Sequence, residues 1–378
     1  MRKLSFFIFS LLVYSTVIFT QTVIENPEKP LGKNAGRVVE LGEVMQISDI
    51  GDKFYFQFPS NLKVAPDGSI FIKDEDQLLQ FSPSGKFIHN FFKKGQGHGE
   101  MGYVVNYYFH DGNIIIHSSM PPKILWFDFG GELIKEFKIY RQIGPLRFRL
   151  FHNNQYYFFS SERAIMKGEP KIVDLDQQLI SVTPDGKEMK RLISFPIKKY
   201  VVAGKGGGRV VVPVNYLITV LYRKKFLFVS NTMEYLMKLY DVEENRIIRA
   251  FKRKYKRVKT PKEAGKEKRG GPMIDGKVVT PPRQKYLIDI QNLFVSNDQL
   301  WVMTSTKDKK KRTLIDVFNF EGKYIDNFYM RFPENIFRDR YIPEPVVISG
   351  NIFYALEKNK DETYEIGVYK IKDKNKHN

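Results

Sequence analysis

The 378-residue sequence contains no cysteine. That absence excludes a disulfide framework, a thiolate metal site and a lipid-modified N-terminal cysteine. Tryptophan occurs twice and histidine six times, and no histidines stand at the short spacing of a metal motif. Negative charge is the minority sign: 42 Asp and Glu against 61 Lys and Arg give a formal net charge of +19. Beyond the N-terminus no apolar run is long enough to cross a bilayer, and neither a Gly-x-Ser-x-Gly elbow nor a paired catalytic carboxylate signature occurs. What is present is core material. The 42% hydrophobic and 14% aromatic content lets a disulfide-free chain of this length bury one large core.

Met1-Arg2-Lys3 precedes an apolar stretch from Leu4 to Thr20, and Thr20-Gln21-Thr22 offers a small-x-small cleavage site. Residues 1–22 therefore read as a secretory signal peptide, with an uncleaved membrane anchor as the competing reading. The expected location is exported, periplasmic or extracellular.

A short cadence then recurs: an apolar strand, a turn with glycine, a charged residue and a second apolar strand. It reads Phe81-Ser-Pro-Ser-Gly85-Lys-Phe-Ile, Phe127-Asp-Phe-Gly-Gly131-Glu-Leu-Ile, Val182-Thr-Pro-Asp-Gly186-Lys-Glu-Met and Phe318-Asn-Phe-Glu-Gly322-Lys-Tyr-Ile, with a degenerate copy at Tyr240-Asp-Val-Glu-Glu-Asn245-Arg-Ile-Ile. Before each copy lies another hairpin, clearest at Pro66-Asp67-Gly68, where proline presets φ and glycine supplies the positive φ of a tight reversal. Each unit is thus a four-stranded antiparallel meander with strands A, B, C and D. Repeat units that cannot bury their faces alone must stack on their neighbours. Six second strands predict a six-bladed all-β propeller over residues 37–372. The last unit runs out after Tyr364–Ile371 without a fourth strand, and Arg37–Ile47 has no other partner, so the N-terminal strand is expected to complete that blade and remove an open edge. Residues 23–36 are then a linker and 373–378 a charged tail.

In a meander the A–B and C–D turns share one rim, while the B–C loops and D–A links share the other. The long segments 93–106, 160–178, 197–209, 252–285 and 305–313 all fall on the second rim and together hold nearly all of the net charge. The largest, 252–285, sits between blades 4 and 5 and has 13 basic and 3 acidic residues. Its composition predicts a mobile or extended loop. It is either a solvated surface loop or an anion-binding arm in which Tyr255 adds stacking to charge. The candidate partner-binding residues are Lys252, Arg253, Lys254, Lys256, Arg257 and Lys259, assisted by Lys309, Lys310, Lys311 and Arg312. Nucleic acid is disfavoured by the export signal, which leaves a protein, an anionic glycan or another envelope component, with the membrane engaged only through surface charge or an uncleaved N-terminal segment. Gly204-Lys205-Gly206-Gly207-Gly208-Arg209 matches no nucleotide fingerprint and is expected to be a flexible linker, with Val210–Val214 continuing as strand.

The segment Val64–Glu100 resembles a unit of the NHL-type six-bladed β-propellers, whose repeats share a Pro-Asp-Gly turn, a glycine after the third strand and a Gly-x-Gly-x-Gly-Glu linker. Gly95-Gln96-Gly97-His98-Gly99-Glu100 fits that linker, with His98 where proline is more usual. Such propellers include binding scaffolds and enzymes alike. In propeller hydrolases of the gluconolactonase-like and paraoxonase-like kinds a divalent cation, such as calcium, is held by Glu, Asn and Asp at the channel mouth; Glu100, Asn106, Asp289 and Asn292 would be the candidates here. That metal-dependent lactonase or esterase, or a lyase, is the alternative to a binding module without a cofactor. His98 and His117 fall on the loop-rich rim, and His110 and His152 on the A–B turns. Trp126 and Trp301 read as core.

Overall fold

The computed structural model describes residues 22–51, 53–139, 146–162, 169–262, 272–336 and 345–373. Residues 1–21 of the expected signal peptide and 374–378 of the tail lie outside them. Two strands, β1 (Val23–Asn26) and β2 (Arg37–Ile47), precede the first blade. Blade 1 is β3 (Pro59–Val64), β4 (Ile70–Asp74), β5 (Gln77–Phe81) and β6 (Phe87–Asn90); blade 2 is β7 (Tyr103–His110), β8 (Asn113–Ser119), β9 (Lys123–Asp128) and β10 (Leu133–Lys138). Blade 3 comprises β11 (Leu146–His152), β12 (Gln155–Ser161), β13 (Lys171–Val182) and β14 (Met189–Ala203), with β15 (Arg209–Pro213) added at its edge. Blade 4 is β16 (Leu217–Tyr222), β17 (Phe226–Asn231), β18 (Met237–Asp241) and β19 (Arg246–Arg253), and the link after it carries a small hairpin, β20 (Met273–Ile274) and β21 (Lys277–Val278). Blade 5 follows as β22 (Ile290–Ser296), β23 (Gln299–Lys307), β24 (Thr313–Phe318) and β25 (Tyr324–Met330), and blade 6 as β26 (Val346–Ser349), β27 (Ile352–Lys358) and β28 (Tyr364–Asp373). The protein is a six-bladed β-propeller, without a helix among the described residues.

The ring closes as the sequence predicts: β2 pairs antiparallel with β28, from Ile47↔Ile366 to Val39↔Asp373, and supplies the missing fourth strand of blade 6. Its first residues also pair in parallel with β25, Arg37↔Phe328 to Val39↔Met330, which joins blades 5 and 6 into one sheet. The segment expected to be a linker is more than that. β1 pairs in parallel with β19 of blade 4, so the N-terminal strap runs over the outer edges of three blades.

Six apolar clusters lie between successive blades, and the one joining Ile47 and Leu356 of blade 6 to Leu62 and Ile72 of blade 1 completes the circle. This explains why second strands such as Ser69-Ile-Phe-Ile-Lys carry no polar alternation. Ile70 and Ile72 face blade 6 while Phe71 between them faces blade 2, so both faces are covered and both must be apolar. The glycine of the cadence answers two demands. Gly322 has φ +78°, and a Cβ there would meet the Phe251 ring of blade 4 at 2.8 Å; only glycine permits both the turn and the approach of the neighbouring blade. In the degenerate copy Asn245 takes the positive φ of 52°.

Candidate anion-binding rim

Four of the ten candidate cations are paired with carboxylates. Lys252 and Arg253 are the last residues of β19, not part of a loop. Arg253 is buried, with its guanidinium donating to the fully buried Asp316 from Nε at 2.9 Å and Nη2 at 2.7 Å. It also lies 5.1–5.3 Å from the ring centres of Tyr235, Tyr255 and Tyr324. Burial alone would pull its pKa down, but the Asp316 carboxylate more than offsets that and holds it raised. Arg253 is thus a bolt between blades 4 and 5, and its charge is not available to a partner. Tyr255 is consumed in the same assembly, stacked on Tyr235 at 4.6 Å, not presented for ligand stacking. Arg257 is neutralised by Asp289 at 2.8 Å, Arg312 pairs with Asp308, and Lys252 pairs with Glu25 at 2.9 Å.

The remaining six candidates form the exposed set. Lys254, Lys256, Lys259, Lys309, Lys310 and Lys311 are exposed and have no carboxylate partner among the described residues. The two groups are brought together, because the Tyr255 hydroxyl accepts a hydrogen bond from Thr306 Oγ1 at 3.2 Å, which seats the start of the blade 4–5 link beside the loop after β23. On the opposite rim the cations of the blade 4 A–B turn are matched: Arg223 meets Asp298 at 3.2 Å, Lys224 meets Asp111, and Lys225 meets Glu243.

The described ends of the basic insertion are extended and pair antiparallel with each other, with Lys259 bridging Tyr286, the Thr260 amide donating to Lys285 and the Leu287 amide to Val258. Arg283 Nη2 donates to the Thr260 carbonyl at 3.2 Å. Residues 263–271 lie outside the described residues. The β20–β21 hairpin was missed, although Asp275-Gly276 between Met-Ile and Lys-Val is a two-residue hairpin signal, with φ +48° and +74°. It meets the tip of a ribbon from blade 3: Lys205 N donates to Asp275 at 3.0 Å. That ribbon overturns the expectation of a flexible linker at Gly204–Arg209. β14 continues to Ala203 and turns through Gly204–Gly208 into β15, pairing Ala203↔Arg209 to Lys199↔Pro213.

The Gly-rich linker 95–100 is locked by polar contacts. Glu100 accepts the Gly97 amide at 3.0 Å, the almost fully buried Lys123 donates to the Gly97 carbonyl at 2.8 Å, and Glu136 accepts the Gly99 amide at 2.9 Å. Burial would raise the Glu136 pKa, but these donors hold it below the ordinary range. The four residues weighed as cation ligands are engaged separately. Glu100 holds its own linker, Asp289 holds Arg257, Asn106 donates to the Phe148 carbonyl and Asn292 accepts the Leu293 amide. No group of three His, Asp or Glu among the described residues is placed to hold a metal. His117 is buried and pushed down to about 4 by desolvation. His152 pairs with Glu243 and His110 with Asp111, while Trp126 is buried between blades 2 and 3 and Trp301 packs against the blade 5–6 core.

A family model, DUF5128, described as a 6-bladed beta-propeller, matches residues 50–183. None of the curated proteins matches the chain. Among solved structures, a Bacteroides fragilis protein described as exported aligns with a TM-score of 0.53 at 11% identity, covering 93% of this chain and 100% of that one. A DUF4221 member from Bacteroides vulgatus aligns with a TM-score of 0.54 at 11% identity, covering 89% and 99% respectively. Likenesses at this identity concern the fold alone.

Proposed function

We propose that the protein is an exported, NHL-like propeller that serves as a binding module, with its B–C and D–A rim recognising an anionic partner such as an acidic glycan or acidic protein surface. The observation that carries this reading is the set of six exposed lysines, Lys254, Lys256, Lys259, Lys309, Lys310 and Lys311, without carboxylate partners among the described residues. They stand on a frame fixed by the buried Arg253–Asp316 pair. Unpaired cations on a rigid rim raise the local concentration of an anion and impose steep salt dependence. Export is supported by the N-terminal pattern Met1–Thr22.

The test is retention on immobilised heparin. Replacing the six lysines with serine is expected to abolish retention at physiological salt while leaving the thermal midpoint within a few degrees. Unchanged retention overturns the assignment.

A further inference from the structure

In the D strands the residue three places after the turn glycine, or after Asn245, is isoleucine in four blades: Ile88, Ile134, Ile248 and Ile325. In blades 4 and 5 the chain's own strap lies along this edge. β1 runs parallel to β19 from Val23↔Ala250 to Asn26↔Arg253, and the Leu31 and Gly32 amides donate to the Tyr324 and Ile325 carbonyls at 3.1 and 2.8 Å. Ile248 and Ile325 are there partly buried against the blade clusters. In blades 1 and 2 the same position is open, with Ile88 48% and Ile134 51% exposed. β6 and β10 end their sheets, and among the described residues no further strand pairs with them.

A second correspondence gives the chemistry of what would cover blade 2. Seven places after the turn residue, blade 4 has Lys252 and blade 2 has Lys138. Lys252 is met by Glu25 of the strap at 2.9 Å. Lys138 is exposed and has no carboxylate partner among the described residues. We infer that the outer edge of β10 is a docking site for an extended segment of a partner protein, two apolar residues followed by an acidic one, which adds in parallel as Val23-Ile24-Glu25 does on blade 4. Main-chain pairing along an exposed strand gives such a contact its affinity, and the side chains on alternate positions give its specificity. A second copy of β10 is the weaker occupant, because edge-to-edge pairing would bring Lys135 and Lys138 of two chains together.

The probe is a synthetic peptide of residues 22–30, labelled and titrated with the intact protein by fluorescence anisotropy. Saturable binding is expected. Lys138→Glu, at an exposed site that leaves the fold intact, should weaken it about tenfold, and a peptide carrying Glu25→Lys should restore it on that variant. Absence of saturable binding overturns the inference. So does binding indifferent to Lys138→Glu, which would mean displacement of the native strap from blade 4. A dimer by sedimentation that is dissolved by Ile134→Lys would assign the edge to a second copy instead, and equally overturn it.

Discussion

The Arg253–Asp316 bolt makes the sharpest energetic prediction. Asp316 is fully buried on β24 and accepts from Arg253 Nε and Nη2 and from the Tyr235 and Tyr324 hydroxyls. Truncation by Asp316→Ala leaves a buried guanidinium unpaired, which costs about 3–5 kcal/mol. Two tyrosine hydroxyls also lose an acceptor, at about 1 kcal/mol each; Asn327 Nδ2 donates to the Tyr324 hydroxyl at 2.6 Å and so does not replace it. The expected loss is therefore about 5–7 kcal/mol, a large share of the ~5–15 kcal/mol that separates a folded domain from its unfolded chain. Arg253→Met should cost less, about 3 kcal/mol, because the Asp316 carboxylate retains both tyrosine donors. The double variant Arg253→Met/Asp316→Ala removes both charges and should recover the part of the loss due to the unpaired guanidinium, so the cycle of these two substitutions gives a coupling of several kcal/mol. Equilibrium urea unfolding followed by tryptophan fluorescence measures all three. A loss below about 1 kcal/mol for Asp316→Ala, or simple additivity in the double variant, would mean that the pair does not bolt blades 4 and 5 together.

Three further outcomes are expected. Asn26 donates to the Lys252 and Gly322 carbonyls at 3.0 and 2.9 Å and accepts the Tyr324 amide at 2.9 Å, so Asn26→Ala should cost about 2 kcal/mol in urea unfolding and protect the β19–β1 amides less from exchange. His117 has a folded pKa near 4 against 6.5 for the ordinary side chain; the unfolded chain therefore binds the extra proton, and stability falls as pH drops from 6.5 towards 4, by up to about 1.4 kcal/mol per pH unit. His117→Leu should remove that slope, and an unchanged slope would contradict the burial argument. The blade 4 A–B turn places Arg223 and Lys224 at φ +47° and +58°, so replacing the pair with Asn-Gly should raise the thermal midpoint measured by differential scanning calorimetry, the relief of two positive-φ residues outweighing the loss of two exposed ion pairs.

The propeller was legible because its determinants are local. The cadence glycines mark turns that require positive φ, the apolar B strands mark burial on both faces, and the missing last strand together with Arg37–Ile47 predicts the closure. Meander parity also places the basic segments on one rim. What sequence could not assign was which cations remain free. Arg253 and Lys254 are adjacent and chemically alike, yet one faces Asp316 on the next blade and the other faces solvent, a distinction set by contacts 63 residues apart in the chain. Low apolar content in 252–285 concealed its paired ends for a related reason: main-chain bridges such as Lys259↔Tyr286 need no apolar side chains. The parallel seating of β1 on blade 4 depends on a four-residue strand that has no turn signal of its own.

In the proposed reading, charge position on the loop-rich rim, not total charge, governs recognition. Two charge-matched variants compared on heparin test it most directly: Lys309→Ser/Lys310→Ser/Lys311→Ser on that rim, and Lys86→Ser/Lys187→Ser/Lys323→Ser in the C–D turns. For a polyanion that sheds counterions on binding, the slope of log affinity against log salt scales with the cations engaged. A slope reduced by roughly half is expected in the first variant, since it removes three of the six exposed candidate lysines, with an unchanged slope in the second. Equal reductions in both would contradict it.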